Sequence, residues 1–362
     1  MSLTGYPFLV TTVLLAVGAV ALLLARWDRI RGLFPRLTML LLCQVTALVT
    51  VFAVTNHAQG FYATWDDLLG GSSESGKLSG DDGGPPPGGT VGASRPFQRV
   101  LRNNQRFEPY TEGFVQTALA GKRSGISGEV AVWVPPGYHD PANRGRSYPV
   151  LMLLHGVPGS VSGWVGPMDI GATVEPLVKS GKLQPFIMVV PYIGGGSRNT
   201  ECSDVPGRAL ISTWLTQDVR QMVLDNFRAT EAGTGWGVMG YSTGGFCAVS
   251  LALRHPELMH AGVGLASDNF GGSRVAYATA EQRQQNSPLW LLKHGSGQQR
   301  PRILLAASRQ DSSAKLSYSQ ELQRLAPETV TLLAFEKGGH SQGTWKKMMP
   351  QSLEWLNRQL RG

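Results

Sequence analysis

The sequence predicts an α/β domain, a mainly parallel sheet with helices on both faces, preceded by a two-helix transmembrane hairpin. Three observations predict it. Two uncharged apolar runs stand near the N-terminus, short apolar runs alternate with longer amphipathic ones from about Ser94 onward, and a glycine-flanked serine falls at one strand-to-helix junction. The 362 residues suffice for one large α/β domain with appendages. Charged residues are only 16% against 42% hydrophobic, low for a wholly soluble protein.

The apolar runs are 8–25 (FLVTTVLLAVGAVALLLA) and 37–54 (LTMLLLCQVTALVTVFAV). At about 1.5 Å per residue each spans roughly 27 Å, close to the hydrocarbon thickness of a bilayer. The loop between them carries Arg26, Arg29, Arg31 and Arg36 against Asp28 alone. The positive-inside bias makes that loop cytoplasmic and leaves both outer ends, with everything after them, on the extracytoplasmic side of the cell membrane. A cleaved signal peptide fits less well, because no Lys or Arg precedes Phe8. Residues 57–93 read as a juxtamembrane segment, with Phe61, Tyr62 and Trp65 suited to the interface, followed by a flexible Gly/Ser/Pro linker. Residues 94–362 are then the catalytic domain.

Net charge is +8, divided as +3 in residues 1–56, −4 in 57–93 and +9 beyond. A basic domain held near anionic lipid heads is drawn toward them. Nucleic acid is a poor partner: no Lys/Arg run with interleaved aromatics and no zinc-ligand spacing is present. Of three cysteines, Cys43 lies within a span, while Cys202 and Cys247 share the oxidising side. A bridge between those two stays open, since sequence does not supply their separation.

Within the large domain, 127–138 alternates like a strand, and 148–159 and 184–196 are continuous apolar strands ending in Gly-rich loops. Residues 209–227 place Leu210, Trp214, Leu215, Val219, Met222 and Val223 at helical spacing, an amphipathic crossover helix. A strand at GWGVMGYS, a helix at TGGFCAVSLALRHPE, strands at HAGVGLASD, RPRILLAASRQD and TVTLLAFEKGGH, and a closing helix complete the order. Ligands of such a sheet bind beyond the carboxyl ends of its strands.

Gly240-Tyr241-Ser242-Thr243-Gly244 fits G-x-S-x-G at a strand-to-helix junction, the context that gives the motif meaning. Its plain alternative is a tight turn with no chemistry. A serine hydroxyl needs a base, and the base needs a carboxylate to orient it. His340 stands after the last strand behind two glycines, downstream of every candidate acid. Asp311, after the preceding strand, is the first candidate for the acid, and Asp268, one strand earlier, is the second. The oxyanion donors expected are the backbone N–H of Thr243 and that of Val157 in LLHGVPGS, with His155 supporting that loop. Together these features predict an α/β-hydrolase fold.

The residues resemble the esterase D family of α/β hydrolases and, within it, the mycobacterial antigen 85 mycolyltransferases. The likeness covers roughly 125–360 and rests on LLHGVPGSVSGW, FIMVVPYIGGGS and GYSTGGFCAVSLALRHPELMHAGVGLAS before an Asp and a GGH. It implies a secreted or anchored serine esterase or acyltransferase working through an acyl-enzyme, and Trp164 after the oxyanion loop becomes the substrate-binding candidate. The mycolyltransferases carry a signal peptide instead of a hairpin, a glutamate where Asp311 stands, and LDG instead of LHG, so their substrates are left open. Hairpin and domain together also resemble membrane esterases of actinobacteria.

A tethered site favours lipid or cell-envelope acyl esters. The competing reading is a binding module that kept the fold and lost activity, disfavoured because serine, acid and histidine are all present. Peptidase or lipase chemistry would use the same triad, with specificity set by 194–208 and 267–299 over the strand ends. The chemistry requires no metal or organic cofactor; oligomeric state and the choice between water and alcohol as acceptor are not encoded in these motifs.

Overall fold

In the computed structural model the described residues are 2–69, 75–80, 97–111, 113–194, 200–272, 279–295 and 300–360. Helices α1 (Tyr6–Arg26) and α2 (Leu33–Gln59) pack against each other, with small or hydroxyl side chains such as Thr12, Ala19 and Ala53 turned inward. The Thr50 hydroxyl of α2 donates to the Thr12 carbonyl of α1 at 3.0 Å. Leu14, Leu24, Leu41, Leu48 and many other large apolar side chains face outward. Both helices are long and apolar enough to cross a membrane. Each exceeds its apolar run, and α2 continues through polar Thr55, Asn56 and His57 to a left-handed cap at Gly60.

After that cap the chain folds back. The Asn56 amide donates to the Leu3 and Tyr62 carbonyls and accepts from the Tyr62 N–H. The short helix α3 (Trp65–Leu68) is capped by the Thr64 hydroxyl, which accepts from the Asp67 N–H.

The sheet strands are β1 (Lys77–Ser79), β2 (Glu108–Pro109), β3 (Phe114–Ala120), β4 (Ser127–Trp133), β5 (Val150–Leu154), β6 (Ile187–Pro191), β7 (Trp236–Tyr241), β8 (Ala261–Leu265), β9 (Arg302–Ser308) and β10 (Val330–Phe335). Among the described residues they form one sheet in the order β1-β10-β9-β8-β7-β5-β6-β4-β3-β2. The stretch from β6 to β10 is parallel, while β1 to β4 join antiparallel at the two edges.

Connecting helices are α4 (Ser162–Val165), α5 (Ile170–Lys179), α6 (Ile211–Thr213), α7 (Arg220–Asn226), α8 (Thr243–Arg254), α9 (Ala280–Gln285), α10 (Pro288–His294), α11 (Leu316–Leu325) and α12 (Gln342–Gln359). The crossover helix expected at 209–227 is α6 and α7 joined by a π-helical stretch, Trp214–Val219. Every β5 residue is buried, and the pleat sends alternate ones to opposite faces. Val150, Met152 and Leu154 join a core under α7, α8 and α11, whereas Leu151 and Leu153 join one under α5 and α12. Burying each such side chain contributes about 1.5–3 kcal/mol, so an uninterrupted apolar run is stable only where both faces are covered.

Two expectations are corrected here. Residues 77–79, expected inside a structureless linker, form β1, with Lys77, Leu78 and Ser79 opposite Ala334, Leu333 and Leu332 of β10. Their local composition carries no strand signal; pairing with an available edge supplies the structure. The sheet also begins earlier than 127, with β2 and β3. Residues 71–74 and 81–93 of the expected linker lie outside the described residues, as do parts of the pocket segments 194–208 and 267–299. The open question of the cysteines is closed: Cys202 and Cys247 form a disulfide with Cα atoms 5.3 Å apart.

Candidate active site

β7 ends at Tyr241 and α8 starts at Thr243, which leaves Ser242 to make the whole turn, at φ 54° and ψ −127°. A non-glycine residue there stores about 1–3 kcal/mol of strain. The turn is held by the Ser242 N–H donating to the Leu265 carbonyl and by the Ser242 carbonyl accepting from Gly245 and Phe246. The flanking glycines have a steric reason. A Cβ on Gly240 would lie 2.1 Å from the Gly244 carbonyl oxygen, and one on Gly244 would lie 2.2 Å from that of Leu154.

His340 follows β10 and is buried, with Nε2 2.9 Å from Ser242 Oγ. Its Nδ1 lies 2.9 Å from Asp311 Oδ2. Asp311, past the end of β9, is also buried, and its Oδ1 accepts from the N–H groups of Ser313 and Ala314. Serine, imidazole and carboxylate are thus connected in one line. Such an array can pass the hydroxyl proton to the ring as the oxygen attacks an electrophilic carbon, with the carboxylate fixing the tautomer. Asp268 stands elsewhere: its Oδ2 accepts from the Thr243 hydroxyl at 2.7 Å.

Thr243 is the first residue of α8, and neither its N–H nor that of Val157 has a partner among the described residues. The helix N-terminus adds partial positive charge on that side. Gly156, one residue before Val157, lies against the elbow, since a Cβ on it would come 3.3 Å from the Ser242 Cβ. His155 fixes this loop. Its Nε2 accepts from the Ile193 N–H, so Nδ1 carries the proton and donates to the Gly156 carbonyl at 2.7 Å. Burial lowers the His155 pKa below its ordinary value, with the Gly156 hydrogen bond opposing, and keeps the ring neutral.

Trp164, expected to bind substrate, is corrected: it is 0% exposed. Its ring packs 5.1 Å from that of Tyr241 within the α5 and α12 core, because α4 lays it inward behind the elbow. Tyr241 is stacked on Trp345 at 4.5 Å, and Trp345 meets the His340 ring edge-on at 5.2 Å. Burial pushes the Tyr241 phenol up to about 12, against a smaller lowering by the Gly156 backbone. The sequence reading missed this aromatic support; Tyr241 as the variable residue of the motif was its one visible trace. Also missed was the stretch after α2, whose Gly60 carbonyl accepts from the His340 N–H at 2.8 Å. Among the described residues no group of three or more His, Cys, Asp or Glu gathers to hold a metal.

A family model named Esterase, described as "Putative esterase", matches residues 123–356. An uncharacterized protein of Corynebacterium glutamicum is 24% identical over 263 residues, covering 67% of this chain; the chain spans only 61% of that relative's length. Among solved structures, a ferulic acid esterase superposes with TM-score 0.59 at 19% identity, covering 68% of this chain and 97% of that one. An S-formylglutathione hydrolase from Agrobacterium tumefaciens gives 0.58 at 16%, covering 70% and 98%. At these identities the structures establish the α/β-hydrolase fold.

Proposed function

The chain belongs to the esterase family, a family of carboxylic ester hydrolases, and on that premise we propose that it is a membrane-anchored serine esterase acting on the extracytoplasmic side. The observation that carries the reading is the continuous Ser242–His340–Asp311 contact line. In the proposed cycle Ser242 Oγ attacks the ester carbonyl while His340 Nε2 takes its proton. The Val157 and Thr243 N–H groups donate to the resulting oxyanion. His340 then returns the proton to the departing alcohol, leaving an acyl group on Ser242, and water activated by the same imidazole releases the acid. Transfer to an acceptor alcohol, the reaction suggested by the antigen 85 resemblance, would differ only in that last step.

Three features support the membrane and substrate parts of the proposal. The outward apolar side chains of α1 and α2 are far more than a soluble surface tolerates. The Cys202–Cys247 disulfide fits an oxidising compartment. Gly60, which caps α2, is hydrogen-bonded to the backbone of His340, so the site sits at the end of the proposed second span. An ester carbonyl at the lipid headgroup boundary is then within reach without leaving the bilayer, which favours lipid or cell-envelope acyl esters.

The test is fluorophosphonate labelling of the full chain in detergent. Wild type is expected to label at Ser242, and Ser242→Ala and His340→Ala are expected not to. Folded wild type that stays unlabelled would overturn the assignment. Product analysis with phospholipid vesicles, with and without added alcohols, then separates hydrolysis from transfer.

A further inference from the structure

The His340 loop has three successive backbone N–H groups to satisfy. That of Gly338 donates to the Gln310 side chain next to Asp311. The other two leave the hydrolase domain altogether. Gly339 donates to Asp67 Oδ2 at 2.9 Å, and His340 donates to the Gly60 carbonyl. Asp67 is a buried carboxylate, 6% exposed, and both of its oxygens accept hydrogen bonds. Oδ2 also accepts from the Ala63 N–H, and Oδ1 accepts from the Thr344 hydroxyl at the start of α12.

The fit is close enough to explain the glycines. A Cβ on Gly339 would lie 2.7 Å from the carbonyl oxygens of both Gly60 and Phe61. Gly60, at φ 69°, also touches the acid's loop, since a Cβ there would lie 2.5 Å from Ser312 Oγ. The segment therefore contacts the loops of both His340 and Asp311.

We propose that residues 60–67 are a built part of the active site, with Asp67 a positioning residue that fixes the His340 loop through the Gly339 N–H and Thr344. The inference rests on the triad reading above. A carboxylate suits the task because it accepts several hydrogen bonds at once, and those to a charged acceptor are stronger than neutral ones. Loss of the contact frees the loop to shift, and a displacement of about 1 Å in a catalytic group costs about 10²-fold in rate. Attachment of the hydrolase domain to its anchor and alignment of its histidine are then one structural event.

The experiment uses the full chain in detergent with p-nitrophenyl butyrate, and kcat is expressed per folded molecule, isolated by size exclusion and checked by near-ultraviolet circular dichroism, because labelling itself depends on His340. Asp67→Ala is expected to lower kcat by about 10- to 100-fold with KM within about twofold. Asp67→Asn keeps an oxygen for the two N–H groups and is expected to recover most of that loss. Thr344→Val, which removes the Oδ1 bond together with the contact to the Ser341 hydroxyl, is expected to cost about threefold in kcat. If Asp67→Ala does not fold, Thr344→Val carries the test, and wild-type kcat per site in that variant overturns the proposal. Wild-type kcat per site in a folded Asp67→Ala also overturns it. If wild type itself leaves Ser242 unlabelled, the triad reading falls and the proposal with it, whereas labelled wild type with unaffected variants sinks the proposal alone.

Discussion

The turn at Ser242 and the loop at His340 bring two side chains to 2.9 Å by opposite means. The turn is made locally: a strand ends, a helix begins one residue later, and two glycines remove the collisions between them. The loop is made from a distance, with backbone N–H groups satisfied by residues near 60 and 67 and an imidazole oriented by Asp311. A motif of five residues therefore specifies the first, while nothing near 340 except its pair of glycines announces the second. Strain concentrated in a short turn is tolerated because its neighbours over-determine it, whereas the loop is only as well placed as its remote partners.

The largest expected effect tests the remote side. Asp311→Asn keeps the shape but lets the histidine adopt the wrong tautomer, and kcat is expected to fall about 10⁴-fold. Steady-state ester hydrolysis at saturating substrate checks this, and a drop below tenfold would mean that the loop is oriented by something other than the acid. Next in size is the disulfide, which closes a 45-residue separation between α8 and the segment around Cys202. Replacing both cysteines by alanine is expected to cost about 2–4 kcal/mol in thermal or denaturant unfolding. The labelling rate of the protein still folded is expected to stay unchanged, since the turn at Ser242 is locally defined; a slower rate would break the contrast.

Gly244→Ala drives a methyl group into backbone with no flexible side chain to yield. A loss of about 3 kcal/mol is expected. In the double variant with Asp67→Asn the stability losses should add within about 0.5 kcal/mol, because Gly244, set against Leu154 and His155, and Asp67, bonded to Ala63, Gly339 and Thr344, have no neighbour in common. Strong coupling in that cycle would merge the two regions. The smallest effect concerns His155, which holds the loop facing the turn. Burial lowers its folded pKa from the ordinary 6.5, so as pH falls the unfolded chain takes up the proton first. Its contribution to stability is whole above about pH 6.5 and is lost as pH falls toward the folded-state value. Melting curves between pH 7.5 and 5 (roughly the His titration range) should show a smaller slope in His155→Gln than in wild type, the remainder coming from His255, whose pKa burial also lowers.

Much of the fold was legible because its signals are short-range. Continuous apolar runs such as VLMLL mark strands covered on both faces, and their alternation with amphipathic helices led to a mainly parallel sheet. The edges were less visible: β1 is three exposed residues whose strand character comes from β10. In the candidate site the serine and histidine could be named from sequence, but two aspartates competed for the third place. Trp164 looked like a substrate contact from its position after a Gly-rich loop, and the direction in which α4 turns its side chain put it in the core instead.

By itself, then, the sequence determined the helical hairpin, the strand-turn-helix at Ser242 and the order of the candidate residues, because hydrophobic period and glycine sterics act between near neighbours. Only the tertiary structure decided that Asp311 meets His340 while Asp268 meets Thr243, that Cys202 reaches Cys247, and that Gly60 and Asp67 hold the histidine loop. Those choices rest on hydrogen bonds and close approaches between segments far apart in the chain, many of them made by backbone groups that every residue carries and that no side-chain pattern can mark.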